Sequence, residues 1–132
     1  MKKLSSLFLA LTILAGFTLL TGCSPTNAGF GTMTSQEAYD FLQTTTDANV
    51  MVIDVRSEEE FMNGRVRGAI SLPLEEIEER MSDITKDKTT TILVICRSGV
   101  RSQAASQIMA DLGFTNVYDI GGILSWPGEI VD

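Results

Sequence analysis

The chain has 132 residues, with two cysteines and no histidine. That length suits one domain, and without histidine there is no His-dependent triad, His-ligated zinc or haem, or imidazole acid–base step. Two cysteines cannot build a four-thiolate metal site or a disulfide scaffold, and 10 cations against 17 acids, a net charge of −7, argue against a nucleic-acid partner.

The first segment reads as an address. Met1-Lys2-Lys3 precedes an apolar run from Leu4 to Leu20, the layout of a secretory signal. Leu20-Thr21-Gly22-Cys23 resembles the bacterial lipobox. That resemblance implies cleavage after Gly22 and acylation of Cys23, with several chains on one residue giving durable anchoring. An uncleaved transmembrane anchor is the alternative. Both place the domain outside the cytoplasmic membrane, tethered to its surface. The expected organisation is residues 1–22 as a lipoprotein signal peptide, 23–32 as lipidated terminus and tether, and 33–132 as the folded domain. Removing residues 1–22 leaves 8 cations and 17 acids over 110 residues, a net charge of −9.

From there the elements alternate. Thr34-Ser35-Gln36-Glu37 is a capping box, with Ala38, Phe41 and Leu42 forming the apolar stripe of a helix. Val50 to Val55 predicts a buried strand, continuously apolar except for Asp54. A short helix follows over 57–63, capped by Ser57 with Glu60 at its third position, and then a brief strand over 69–72 that Pro73 stops. Leu74, Ile77 and Met81 make one helical face, while Glu75, Glu76, Glu78 and Glu79 make a solvated acidic one. Thr89 to Ile95 is the best strand in the chain, rich in β-branched residues. The spacing predicts a helix over about 102–112 with Gly113 as its C-terminal cap, a last strand over 117–120, and a brief helix ended by Pro127 and Gly128. Such alternation implies an α/β fold, a mainly parallel central sheet with helices on both faces, whose ligands gather at the carboxyl ends of the strands.

Cys96 lies at such an end, followed by Arg97-Ser98-Gly99-Val100-Arg101. A thiol reacts as its thiolate, and a helix N-terminus flanked by cations favours that form. A tight loop at Ser98 and Gly99 can turn successive N–H groups toward the sulfur, and Arg97 and Arg101 can meet an oxyanion. The alternative for Cys96 is an inert buried thiol.

With these residues in view, the chain resembles a rhodanese domain. Asp54-Val55-Arg56 with Glu60-Phe61 is similar to that family's first motif, and Gly64 to Pro73 to its Gly-His-Ile-x-Gly-Ala…Pro motif. Cys96-Arg97-Ser98-Gly99-x-Arg101-Ser102 is similar to its active loop, and Gly121-Gly122-Ile123…Trp126 to its closing motif. Arg65 stands where the family usually has His, with Arg67 two residues on; both are read as surface charges, with contact to an anionic substrate as the alternative.

The resemblance implies a rhodanese-like fold and a sulfurtransferase that moves a sulfane sulfur through a Cys96 persulfide. The donor is small, thiosulfate or polysulfide, and the acceptor is a thiol. Cys96 is the nucleophile; Arg97, Ser98, Gly99, Val100 and Arg101 bind substrate; Asp54, Arg56 and Glu60 brace the loop. No metal or organic cofactor is implied. Two alternatives are a membrane-tethered persulfide carrier or sensor with low turnover, and a phosphatase of the same fold. The phosphatases have a loop one residue longer than the four residues between Cys96 and Arg101.

Overall fold

A computed structural model describes residues 29–132. The signal segment, Cys23 and most of the tether lie outside the described residues.

The apolar run before Cys96 forms the centre of the fold. Ile92 to Cys96 are all buried to 1% exposure or less in β5 (Thr91–Cys96). This strand lies between β2 (Val50–Asp54) and β6 (Asn116–Gly122), parallel to both. A strand enclosed on both faces must be apolar throughout, which is why this segment shows no polar alternation. The full sheet has the order β1-β6-β5-β2-β4, with β1 at Gly31–Thr32 and β4 at Ile70–Ser71, and every pairing in it is parallel.

Helices cover the two faces. α1 (Ser35–Thr44) carries the expected Thr34–Glu37 capping box and sets Ala38 against Val52, Leu93, Ile95 and Ile120. On the other face, Ile77 and Met81 of α3 (Ile77–Ile84) and Ala105 and Met109 of α4 (Val100–Asp111) pack on Ile53, Ile92 and Val94. Side chains along a strand alternate between faces. Cys96 therefore follows Ile92 and Val94 toward α3 and α4, while Leu93 and Ile95 face α1.

Several boundaries differ from expectation. Gly31-Thr32, assigned to the tether, pairs with Tyr118-Asp119 and extends the sheet. The short helix α2 is Glu58–Met62, with both halves of the Ser57–Glu60 capping box present. α4 begins at Val100, two residues early. Gly99 sits at its N-cap with φ +106°, so the chain turns into the helix there, and Ser102 lies within its first turn with its hydroxyl against the Gly99 carbonyl. The last strand is not 117–120: β7 (Ile130–Val131) follows and pairs antiparallel with β3 (Arg65–Val66).

Candidate active site

The polypeptide turns sharply between β5 and α4. The Gly99 N–H donates to Cys96 Sγ at 3.0 Å, and the thiol lies 3.5 Å from Ser102 Oγ. Burial pushes the Cys96 thiol up. Hydrogen bonding with Ser102 and from the backbone N–H groups of Gly99 and Ser98 outweighs it, so the thiol is held below its ordinary value. Of the N–H groups expected around the sulfur, that of Gly99 stands at hydrogen-bond distance. The sulfur nevertheless lies deep: Cys96 is only 1% exposed and belongs to the apolar cluster under α4.

The loop is seated on the closing motif. A Cβ on Gly122 would stand 2.1 Å from the Arg97 carbonyl oxygen, so only glycine admits the loop this close. The Leu124 N–H donates to the same carbonyl at 3.3 Å, pinning the loop from beyond β6.

The charged residues divide in two. Arg101 is gripped by Glu60 from α2 at two points, Nη1 to Oε2 at 2.7 Å and Nη2 to Oε1 at 2.8 Å. The Arg101 guanidinium holds the Glu60 carboxyl down at about 2. Glu60 in turn holds the Arg101 guanidinium above its ordinary value, with smaller contributions from the charges of Cys96 and Asp54. Arg97 and Ser98 are exposed, and Arg97 makes no ion pair among the described residues. Val100 is 75% exposed beside them.

Glu60 therefore meets the loop side chain directly, whereas Asp54 and Arg56 do not. Arg56 is 6% exposed and Asp54 fully buried; their side chains pair at 2.7 Å, and Arg56 Nη2 donates to the Gly64 carbonyl at 2.7 Å. This pair fixes the segment after α2. Arg65 and Arg67 are engaged with the C-terminal segment: Arg65 donates to the Asp132 carbonyl and packs over Phe61, and Arg67 pairs with Glu129. Arg65 and Arg67 thus hold the end of the chain.

Asp119 of β6 was missed by the sequence reading. Its Oδ1 accepts the Ser102 hydroxyl at 2.6 Å and the Gly121 N–H at 3.0 Å, which puts a carboxylate one residue removed from the sulfur. The available signal was an acid interrupting the apolar strand Val117-Tyr118-Asp119-Ile120, where strand propensity disfavours Asp. A separate cavity of about 540 Å³ lies beside the first half of β2, lined by residues including Val50, Met51, Tyr39 and Trp126. Cys96 does not line it.

The family pattern of the rhodanese-like domain matches residues 35–129, most of the chain, with Cys96 and its loop inside the match. The chain belongs to the rhodanese-like family. Among relatives of this rhodanese-like domain is the thiosulfate sulfurtransferase PspE of Escherichia coli, 39% identical over 71 residues, covering 54% of this chain and 68% of that protein. The thiosulfate sulfurtransferase GlpE of Shewanella oneidensis is 31% identical over 86 residues, covering 64% and 83%. A solved structure described as a rhodanese with anions, from E. coli, superposes with a TM-score of 0.60 at 35% identity, covering 63% of this chain and 98% of that one.

Proposed function

We propose that this rhodanese-like domain is a sulfurtransferase that carries a sulfane sulfur on Cys96. The observation that bears the reading is the Gly99 N–H donating to Cys96 Sγ at 3.0 Å at the head of a 12-residue helix. That arrangement favours negative charge on the sulfur. The relatives named thiosulfate sulfurtransferase add support for the reaction class.

The thiolate attacks the outer sulfur of thiosulfate. A sulfur–sulfur bond forms on Cys96, the donor's own sulfur–sulfur bond breaks, and sulfite leaves with the electron pair. The outer sulfur then carries the negative charge within reach of the loop N–H groups. An acceptor thiolate attacks that sulfur and returns Cys96 to its thiolate, completing a double displacement. Of the two arginines, Arg97 makes no ion pair among the described residues and can meet the sulfonate of the donor, while Arg101 is held by Glu60. The burial of Cys96 favours a small donor over a bulky one.

Intact-mass analysis after thiosulfate treatment tests the proposal. The expected result is one added sulfur that cyanide removes and that Cys96→Ser does not take up. No gain by the natural chain, or an equal gain by Cys96→Ser, overturns it.

A second reading, a tethered persulfide carrier with low turnover, shares the loading step. The deep burial of Cys96 favours it, because an acceptor reaches the sulfur only with difficulty. Ready loading with slow discharge to small thiols would distinguish it. The proposal extends to location: Cys23 as a lipid-bearing N-terminus outside the cytoplasmic membrane. Intact-mass analysis of the membrane-extracted protein should show a chain that begins at Cys23 and carries acyl groups, and a chain that keeps residues 1–22 without acyl groups would contradict the lipid anchor.

A further inference from the structure

The Ser102 hydroxyl has one proton and too many acceptors. Asp119 Oδ1 lies 2.6 Å from its oxygen, the Gly99 carbonyl 3.0 Å, the Gly121 carbonyl 3.3 Å and Cys96 Sγ 3.5 Å. Asp119 is the nearest of the four and the only carboxylate, and hydrogen bonds to ionised oxygen are shorter and stronger than neutral ones. The proton therefore goes to Asp119. What Ser102 then turns toward the sulfur is a lone pair, which can accept from an S–H and cannot donate to a thiolate.

We propose that Asp119 is a positioning residue for Cys96: by holding the proton of Ser102 it makes Ser102 an acceptor for the thiol and withholds a donor from the thiolate. In the resting site a chain runs from the Cys96 S–H to Ser102 Oγ and from the Ser102 O–H to Asp119. The second bond on Asp119, from the Gly121 N–H at 3.0 Å, fixes the carboxylate against the loop. Thiolate formation then draws on backbone N–H groups alone.

The other charges around Cys96 come from every element that meets there. Arg101 of α4 and Arg97 of the loop favour the thiolate. Glu60 of α2 offsets Arg101 by pairing with it, and Asp54 at the end of β2 is itself paired with Arg56. Asp119 of β6 is the acid that reaches the sulfur through a single hydroxyl.

The consequence for sulfur transfer rests on the proposed function. When a sulfane sulfur is attached, the negative charge moves from Sγ to the outer sulfur, one bond farther from Asp119. The carboxylate then disfavours the bare thiolate more than the persulfide, and loading is favoured over discharge.

The test needs no sulfur donor, so it stands apart from the test of function. The rate of iodoacetamide alkylation is followed against pH on the peptide carrying Cys96, in the full chain. Asp119→Ala should lower the alkylation midpoint by about one pH unit, equivalent to about tenfold more thiolate below both midpoints. In the Ser102→Ala background the same substitution should shift the midpoint by less than half as much. Asp119→Asn, which keeps an acceptor for the Gly121 N–H, takes its place in the cycle if the alanine variant does not fold. An unchanged or raised midpoint overturns the proposal. So does an equal shift in both backgrounds, because Asp119 would then act by charge alone and not through Ser102.

Discussion

Two acid–arginine pairs stand within a few residues of one another, and their difference separates scaffold from site. Asp54–Arg56 is sealed, with side chains 0% and 7% exposed, and its spare donor goes to the Gly64 carbonyl. Glu60–Arg101 is a third exposed and sits beside the thiol. The first pair is shut off from solvent, and its hydrogen bonds go to each other and to backbone. The second holds Arg101 close enough to Cys96 for their charges to interact, and solvent can reach it. The same chemical pairing thus fixes a turn in one place and ties α2 to the start of α4 in the other.

Breaking the buried pair should produce the largest effect. Asp54→Ala leaves Arg56 charged in an apolar setting, and removing one partner of a buried pair costs about 3–5 kcal/mol. Urea unfolding should show that loss as a lower midpoint. A cost within the range of ordinary surface substitutions would mean that the pair is not the scaffold described.

The Glu60–Arg101 pair should give a smaller, pH-dependent effect. Glu60→Gln should cost about 1 kcal/mol or less, as expected for a partly exposed pair. Because the folded state lowers the Glu60 carboxyl from 4.5 to about 2, its contribution is complete above 4.5 and is lost as the pH falls toward 2. The melting temperatures of the natural chain and Glu60→Gln should therefore converge across that interval. With the glutamate charge gone, the KM for thiosulfate should fall about threefold, the scale of one partly screened charge. A rise in KM would show that Glu60 serves by holding Arg101 in place.

The exposed Arg67–Glu129 pair should matter least. Its side chains are 69% and 65% exposed, and Arg67→Ala should change stability by no more than about 0.5 kcal/mol. Thiosulfate kinetics should be unchanged, since Arg67 faces the C-terminal segment; a raised KM would place it at the substrate after all.

Much of this was legible in the sequence for local reasons. Capping boxes at Thr34 and Ser57 are encoded within four residues, and both are present. The apolar run before Cys96 announces a central strand because five successive apolar residues can all be buried only where both faces of a strand are covered. The features that escaped are long-range. Glu60 and Arg101 are 41 residues apart in the chain, and nothing in either segment says that their forks meet. Asp119 reaches Ser102 across 17 residues only because β6 lies beside β5. α4 starts two residues before the expected 102 because the turn into it is made by Gly99 in a left-handed conformation. The β3–β7 pairing joins two-residue strands, too short to leave a pattern of alternation.

The central claim is that the loop makes Cys96 a nucleophile toward sulfane sulfur, and the most direct measurement is sulfite release in a single turnover. Mixed with excess thiosulfate and no acceptor, the protein should release one sulfite per chain and then stop, while Cys96→Ser releases none. Continued release without an acceptor, or release by Cys96→Ser, would contradict the account.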